Sequence, residues 1–417
     1  MSTNRSDNNR KNQAAMVSGP FLGVSERQSL AGRFEQQAAL HRTRIAVKTD
    51  KDTVTYDRLN RAANRVAHAI SDGSGRQDRP VALLFNQGLG MITAMLAALK
   101  IGRPFVQVDS NFPYHRAARI VEHAGPGEIV TDEAHAGLAR ALAHDDVRMI
   151  NLDQLTAEPE SNLRVSVTPE QLAYINYTSG STGEPKGVVS NHLSELHSIL
   201  VKAKALRITP EDRISLLRSN NVGATSDALL GLLNGAALYP LKLLEEGLAG
   251  LGDWLFKERL TVFTCVASVF RHSMAALPLE RRFEDIRLVH LGGEPLYRSD
   301  IELYRQHFSD RCLLVNRLGI SETKTATYYF IDKSTEIAEP VIPVGYPLEG
   351  YEISVLDDEG RVSDKGAIGE IAIKSEYLAQ GYWRQPVLTE AKFLPDSAGR
   401  AARIYLSGDL GYICPDG

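Results

Sequence analysis

The stretch Tyr177-Thr178-Ser179-Gly180-Ser181-Thr182-Gly183-Glu184-Pro185-Lys186-Gly187 is the most informative part of this 417-residue chain. It follows the apolar run at 172–176, which predicts a buried strand. Glycines let backbone N–H groups approach an anion, hydroxyls donate hydrogen bonds, and Lys186 supplies positive charge. The pattern is not a Walker loop, because the lysine follows proline and precedes glycine. We interpret the stretch as a phosphate-binding loop, with a solvated turn rich in small residues as the alternative.

The same stretch resembles the signature of the adenylate-forming superfamily, which includes nonribosomal peptide synthetase adenylation domains, acyl- and aryl-CoA ligases and luciferases. Those enzymes activate a carboxylic acid with Mg-ATP, release pyrophosphate and hold an acyl-adenylate for transfer to a thiol. The resemblance implies that Lys186 offsets charge on the outer phosphates during adenylyl transfer. It also implies a loop that binds ATP through Thr178, Ser179, Gly180, Ser181, Thr182, Gly183 and Lys186.

Composition excludes some classes of function. A hydrophobic share of 43% is ample for a large core, and a net charge of −4 gives no basic surface for nucleic acid or anionic membranes. Three widely spaced cysteines indicate neither a zinc site nor a disulfide framework, and they fit a reducing cytoplasm. Residues 1–20 are polar and predict a disordered leader, and no apolar run reaches the length of a membrane span.

Strands alternate with helices over the first three quarters of the chain, which predicts an α/β fold with parallel sheets flanked by helices. From Val344 onward the pattern changes to short strands. The whole looks like the N-terminal core of adenylate-forming enzymes: two mixed, largely parallel sheets flanked by helices plus a small distorted β-barrel. We expect an adenylation core at 21–417, with subdomains at about 21–213, 214–343 and 344–417.

Family members continue past this point into a mobile C-terminal subdomain of roughly a hundred residues, a domain-sized piece. That subdomain carries a lysine that stabilises the adenylation transition state. The sequence stops at Gly417, so we expect the subdomain to be absent. We therefore expect a chain that binds ATP, adenylates poorly and cannot complete thioester transfer.

The motif at 316–322 resembles the family's Asn-x-Tyr-Gly-Pro-Thr-Glu. By this resemblance Asn316 reads the adenine amino group and Glu322 holds Mg²⁺, with Ser321 beside it. A hard dication that bridges ATP phosphates needs a carboxylate but few other protein ligands. The residues alone also allow Glu322 to be a charge at a helix N-terminus. Leu318 replaces the family's adenine-stacking aromatic residue, and Ile320 replaces its proline.

Two further segments complete the predicted nucleotide site. Gly292-Gly293-Glu294 ends a predicted strand, where the glycines let backbone pass close to a flat base. The segment 405–410 is similar to the family's Tyr-Arg-Thr-Gly-Asp-Leu, whose aspartate grips the ribose hydroxyls, so that role falls on Asp409. The alternative for Asp409 is an ordinary turn residue. The segment 380–383 matches the family's Arg-Gly-Tyr element, with glutamine in place of arginine.

The acid pocket follows from the same resemblance. In amino-acid-activating relatives an aspartate binds the substrate's α-ammonium, but here Val222 occupies that position. Burying an ammonium without its carboxylate costs several kcal/mol, so we predict a keto, hydroxy, acyl or dicarboxylic acid, with a β-amino acid also open. Arg317 replaces a usually small residue and either binds a planar anion, or points outward or pairs with a local acid. The remaining predicted pocket residues are Gly223, Ser226, Thr264, Val289, Leu291, Thr325 and Ala326.

Three classes of function remain. We favour a synthetase adenylation domain of secondary metabolism over a stand-alone acyl- or aryl-CoA ligase, because the surroundings of Asn316 look more like modular synthetases. Its expected partners are a small carboxylic acid, a carrier-protein domain with phosphopantetheine, and the C-terminal subdomain. A P-loop kinase does not explain Glu322 or Asp409. A catalytically silent nucleotide-binding module stays open because of Leu318.

Overall fold

The structure is a computed structural model that describes residues 28–72, 78–144, 146–179, 185–217, 222–243, 247–337, 339–396, 399, 401–415 and 417. The predicted leader and the loop residues Gly180, Ser181, Thr182 and Gly183 lie outside the described residues, as do the side chains of Ser179 and Val222. The described chain forms two compact units. We call them the N-terminal unit (Val24–Ile199 and Ile208–Gly247) and the C-terminal unit (Leu200–Arg207 and Leu248–Gly417).

Helices and strands alternate along most of the described chain. The helices are α1 (Leu30–Leu40), α2 (Tyr56–Ser71), α3 (Leu89–Lys100), α4 (Tyr114–Ala124), α5 (Ala136–Leu142), α6 (His192–Ala205), α7 (Val222–Leu232), α8 (Leu251–Lys257), α9 (Ala267–Ala275), α10 (Arg298–His307) and α11 (Pro386–Lys392). The strands up to the middle of the chain are β1 (Ile45–Lys48), β2 (Thr53–Thr55), β3 (Val81–Phe85), β4 (Phe105–Asp109), β5 (Glu128–Thr131), β6 (Arg148–Asn151), β7 (Leu172–Ser179), β8 (Pro185–Asn191), β9 (Arg213–Leu216) and β10 (Ala237–Pro240). The later strands are β11 (Val262–Cys265), β12 (Leu288–Gly292), β13 (Leu313–Ile320), β14 (Lys324–Ile331), β15 (Tyr346–Pro347), β16 (Tyr351–Leu356), β17 (Gly369–Ser375), β18 (Gly381–Tyr382), β19 (Phe393–Pro395) and β20 (Arg403–Gly411).

Within the N-terminal unit, one sheet runs in the order β8-β7-β4-β3-β5-β6. Its neighbours are parallel except for β7 with β8. All five side chains of β3 are buried, and so are ten consecutive residues of α3. Continuous apolar strands are typical of parallel sheets that helices cover on both faces. The alternation in the sequence therefore predicted this sheet correctly.

A second group of strands in the N-terminal unit runs in the order β9-β10-β1-β2, parallel except for β1 with β2. Helix α2 follows β2 directly, because the Thr55 side chain accepts a hydrogen bond from the backbone N–H of Arg58 and caps the helix. Tyr56 begins the helix fully buried, and its hydroxyl donates to the carbonyl of Ala236 at 2.7 Å. This bond ties the start of α2 to the chain just before β10.

The C-terminal unit has a sheet in the order β11-β12-β13-β14-β15. The first three strands are parallel, and β14 and β15 are antiparallel to their neighbours. Phe263 of β11 lies 6.2 Å from Phe270 of α9, and Phe270 lies 6.0 Å from Phe308 at the end of α10, measured between ring centroids. One face of this sheet is therefore packed against α9 and α10.

In the stretch predicted as all-β from residue 344, four strands form an antiparallel sheet in the order β16-β17-β20-β19. Helix α11 interrupts these strands, so the all-β prediction is wrong at 386–392. The prediction of an α/β fold with mixed, largely parallel sheets flanked by helices is confirmed. The three predicted subdomain boundaries stay predictions. No helix in the described ranges is long and apolar enough to cross a membrane.

Candidate active site

The strand pair β7 and β8 frames the predicted phosphate loop. Thr178 pairs directly with Lys186, and opposed residues of antiparallel strands have Cβ atoms about 5 Å apart. The hydroxyl and the half-buried lysine therefore share one face at the base of the loop. Tyr177 points to the other face, where its hydroxyl lies 2.7 Å from Nδ1 of His123 in α4. The structure thus gives Tyr177 a contact with a helix and leaves Thr178 and Lys186 as the described pair beside the loop.

Helix α7 carries the predicted pocket residues of the N-terminal unit. It begins at Val222, and Gly223 and Ser226 are part-exposed one turn apart. A neighbouring part of the helix borders a small cleft lined also by α3, β4 and the end of β9. There Thr225 donates to Oε1 of Gln107 at 2.9 Å. One side of the helix is thus anchored, and Gly223 and Ser226 remain accessible at its start.

Strands β13 and β14 form a hairpin that carries Glu322. Ile320 pairs with Lys324, so Ser321, Glu322 and Thr323 make up a three-residue loop. Lys324 has a φ of 62°, and three-residue hairpin loops commonly end in such a left-handed residue. Glu322 therefore lies at the tip of a hairpin. The alternative of a charge at a helix N-terminus is wrong.

Asp409 lies in an irregular part of β20. The register against β17 shifts there, and Gly408 has a φ of 78°, a conformation that glycine adopts without strain. The N–H of Gly408 donates to Oε1 of Glu370 at 2.8 Å, and the N–H of Asp409 donates to Oγ of Ser407 at 3.0 Å. Bulges of this kind redirect side chains. The fixed backbone here holds Asp409 exposed at the surface of the C-terminal unit.

Two other predicted nucleotide contacts have protein partners in this structure. Asn316 is 2% exposed, and its Nδ2 donates to the carbonyls of Ile342 and Pro343 at 3.3 and 3.0 Å. The Glu294 carboxylate accepts hydrogen bonds from the N–H and Oγ of Ser268 at 2.7 and 3.0 Å, at the start of α9. The nucleotide-binding roles of Asn316 and Glu294 stay predictions. Gly293, next to Glu294, is exposed.

Strand register places some predicted pocket residues on one face of the C-terminal sheet. Thr264 pairs with His290, and Gly292 pairs with Arg317, so all four share a face because His290 and Gly292 are two residues apart. The Arg317 side chain passes over Gly292 so closely that a Cβ at position 292 would overlap Cγ of Arg317. Its Nη1 donates to Oγ1 of Thr325 at 3.2 Å. This face therefore joins Thr264, Gly292, Arg317 and Thr325.

Val289 and Leu291 lie on the opposite face of β12. Val289 pairs with Phe263, whose ring contacts Phe270 of α9, and both predicted pocket residues are 0% exposed. The structure thus separates them from Arg317 and packs them under α9. Ala326 is fully buried at a register shift of β14. The pocket roles of these three residues stay predictions.

Comparison with known proteins decides the family. The family described as AMP-binding enzyme matches residues 34–383, which is most of the chain. The chain belongs to the AMP-binding enzyme family. This membership agrees with the resemblance seen in the loop at 177–187.

Relatives of this AMP-binding enzyme include long bacterial synthases. Tyrocidine synthase 1 of Brevibacillus parabrevis is 28% identical over 411 residues, which cover 97% of this chain and 37% of that protein. Surfactin synthase subunit 2 of Bacillus subtilis (strain 168) is 31% identical over 391 residues, which cover 92% of this chain and 11% of that protein. The chain thus spans well under half the length of these relatives.

A solved relative with bound nucleotide is the nonribosomal peptide synthetase FmoA3. Its AMPPNP-bound form has a TM-score of 0.85 and 25% identity, and the alignment covers 96% of this chain and 42% of that one. Its α-methyl-L-serine-AMP bound form has a TM-score of 0.86 and covers 97% of this chain and 46% of that one. The core of this AMP-binding enzyme therefore has the fold of a synthetase that was solved with a nucleotide and with an aminoacyl-adenylate.

The side chains fit a magnesium–nucleotide complex in which phosphates supply most metal ligands. Magnesium usually binds through one or two carboxylates, waters and substrate phosphates, and Glu322 offers one carboxylate on a hairpin tip. Among the described residues, no group of three or more His, Cys, Asp or Glu side chains is placed to hold a metal ion alone. The carboxylate of Glu322 thus fits the ligand type that magnesium prefers.

Sequence reasoning missed two tyrosines that form a hydrogen-bonded group with Glu322. The hydroxyl of Tyr382 donates to Oε1 of Glu322 at 2.9 Å, and the hydroxyl of Tyr405 lies 3.2 Å from that of Tyr382. Both tyrosines fall inside family-like segments, at 380–383 and 405–410, so the sequence marked their neighbourhoods without assigning them a role. The contact of Tyr382 with a hairpin 60 residues earlier is a tertiary feature that no local pattern reports.

Proposed function

We propose that this AMP-binding enzyme activates a small carboxylic acid with Mg-ATP, forming an acyl-adenylate and releasing pyrophosphate. The observation that carries the proposal is the family match over residues 34–383. The nucleotide-bound relative and the presence of Thr178, Lys186, Glu322 and Asp409 in the family's motifs support it.

The proposed chemistry requires the protein to position the reactants and to stabilise charge. It requires no protein nucleophile. The carboxylate oxygen of the acid attacks the α-phosphate in line, the bond to the β-phosphate breaks, and pyrophosphate leaves with the electron pair. Lys186 offsets negative charge on the phosphates as a point charge, and Asp409 accepts hydrogen bonds from the ribose hydroxyls. Bound Mg²⁺ would neutralise phosphate charge, and Glu322 is the side chain that would hold it.

We further propose that the acid lacks an α-amine. Val222 begins α7 in the position where amino-acid-activating members of the superfamily carry an aspartate, and valine offers no partner for an ammonium group. Arg317 lies across Gly292 on the face of Thr264, with Nη1 bound to Thr325. A guanidinium there suits recognition of a second carboxylate. A keto, hydroxy, acyl or dicarboxylic acid therefore fits better than a standard α-amino acid.

The partner of the activated acid is proposed to be a phosphopantetheine thiol on a carrier-protein domain. The support is that the relatives include long synthases and a nonribosomal peptide synthetase. The widely spaced cysteines suit a reducing cytoplasm, which is the compartment we propose.

The test mixes the chain and ATP in equal amounts, with Mg²⁺ and one acid at a time. The acids are amino, keto, hydroxy, aryl and dicarboxylic acids. Mass spectrometry of the quenched reaction detects acyl-adenylate even when turnover is slow. We expect adenylate from an acid without an α-amine, and loss of any dicarboxylate product in Arg317→Ala. Selective formation of a standard L-α-aminoacyl-adenylate would refute the acid class, whereas failure to bind ATP would refute the proposed activity itself.

A further inference from the structure

Tyr382 is fixed against the carboxylate of Glu322. Its hydroxyl donates to Oε1 at 2.9 Å, and the side chains of Tyr382 and Tyr405 are shielded, with residue exposures of 7% and 5%. Because the hydroxyl of Tyr405 lies 3.2 Å from that of Tyr382, the two phenols form one hydrogen-bonded group with the acid. A bond from a neutral donor to an ionised acceptor is stronger than one between neutral groups.

The backbone around Tyr382 is tied down as well. The N–H of Ala379 donates to the main-chain carbonyl of Glu322 at 2.8 Å, and the N–H of Tyr382 donates to Oγ1 of Thr389 at 2.9 Å. The Tyr382 ring also packs edge-on against Phe393 with centroids 5.7 Å apart. The segment 379–382, which we call the clasp, therefore holds the hairpin tip through both main chain and side chain.

The clasp controls the orientation of one carboxylate oxygen. The Tyr382 hydroxyl is the donor in this contact, because a carboxylate oxygen accepts hydrogen bonds. A donor on Oε1 limits rotation of the carboxylate about its last bond. A fixed carboxylate favours binding of a cation, because hydrogen-bond partners commonly orient ligating carboxylates.

We propose that Tyr382 is a positioning residue that orients the Glu322 carboxylate toward the magnesium ion of bound Mg-ATP. The proposal rests on the proposed function through the metal role of Glu322. Tyr382 itself touches neither metal nor nucleotide in this assignment. Its action is to lower the metal concentration at which the nucleotide complex forms.

The experiment compares wild type, Tyr382→Phe, Glu322→Gln and the double variant by calorimetric binding of ATP to the full chain. ATP is titrated into each protein in EDTA and at a series of fixed Mn²⁺ or Mg²⁺ concentrations. Loss of a hydrogen-bond partner of a metal ligand typically weakens metal binding about 10- to 100-fold. We expect Tyr382→Phe to raise the half-saturating metal concentration by about that factor, with ATP affinity in EDTA unchanged and binding restored at saturating metal.

Tyr304→Phe is the matched control, because it too removes a shielded hydroxyl, one that donates to the carbonyl of Cys312. Its melting temperature should fall while its metal dependence stays that of wild type. In the double variant, Tyr382→Phe should have no further effect on metal dependence once Glu322 is Gln, since the two act as one unit.

The outcomes separate the two proposals. If wild type binds ATP with a clear metal dependence and Tyr382→Phe keeps that dependence, the positioning role is wrong. It is equally wrong if the effects of Tyr382→Phe and Glu322→Gln are additive, or if Tyr304→Phe shifts the metal dependence by the same factor. If wild type shows no metal-dependent binding of ATP, the proposed function fails first.

Discussion

His192 should make the stability of the chain fall steeply in mild acid. It is the first residue of α6 and 0% exposed, and its Nδ1 accepts a hydrogen bond from the N–H of Leu30 at 3.2 Å. Burial lowers its pKa from 6.5 to about 4, because the charged imidazole would lose its hydration. Within the described residues its Nε2 has no hydrogen-bond partner, so no neighbour offsets the cost of a second proton.

The size of the effect follows from proton binding to the two states. Below pH 6.5 His192 binds a proton in the unfolded chain, whereas in the folded chain it binds one only near pH 4. The free energy of unfolding therefore falls across this window as the pH decreases. Each pH unit between the two pKa values corresponds to about 1.4 kcal/mol. The loss is therefore about 2 kcal/mol by pH 5 and roughly 3 kcal/mol by pH 4, with no further contribution in stronger acid.

Chemical unfolding at pH 7, 6, 5 and 4 tests this with His192→Asn. The Asn Oδ1 can accept from Leu30 in place of Nδ1, but the side chain does not titrate. We expect the variant to be about 1–2 kcal/mol less stable at pH 7 through lost packing, and to match wild type near pH 5. His115→Asn, which removes an exposed histidine, is the control and should follow wild type. Parallel pH profiles of wild type and His192→Asn between pH 7 and 4 would refute the reasoning.

Three other predictions concern single side chains. Gly381→Ala places a Cβ against Thr389 at a φ of 137° and should lower the free energy of unfolding by about 2–3 kcal/mol. Gly366→Ala, at a φ of 87° but with open space around it, should lower it by about 1 kcal/mol. Thermal unfolding measures both. Asp409→Ala should weaken ATP binding roughly tenfold, as expected for loss of a charged hydrogen-bond acceptor, with a melting temperature equal to wild type because the side chain is exposed. Lys186→Ala should weaken binding of ATP more than binding of AMP in calorimetry, and equal losses for both would contradict a role at the outer phosphates.

The regular elements were predictable because their patterns are local. The run at 172–176 was expected as a buried strand, and β7 indeed begins at Leu172 and continues to Ser179. The continuous apolar character of β3 and α3 likewise reflects burial by elements on both sides. In each case the side-chain period within a few residues carries the information.

The sequence predicted site residues only where a family motif assigns them a chemical role. Glu322 was singled out, but its position on a hairpin depends on the pairing of β13 with β14 and on the left-handed Lys324. Arg317 drew attention as an unusual pocket residue, whereas its path over Gly292 to Thr325 depends on strand register. Alternation in β12 turns Val289 and Leu291 to the face opposite Arg317, a placement that motif transfer does not report, and their pocket roles stay predictions.

The clasp also separates in time the synthesis of the proposed metal ligand, Glu322, from that of the residue proposed to orient it. Tyr382 is made 60 residues after Glu322, so at about 5–20 residues per second a ribosome needs roughly 3–12 seconds to supply it. During that interval the nascent chain contains Glu322 but not the Tyr382 hydroxyl that is proposed to orient its carboxylate. If Tyr382 orients Glu322 as proposed, a chain that stops before Tyr382 should need about 10- to 100-fold more magnesium to form the ATP complex than a chain that includes it.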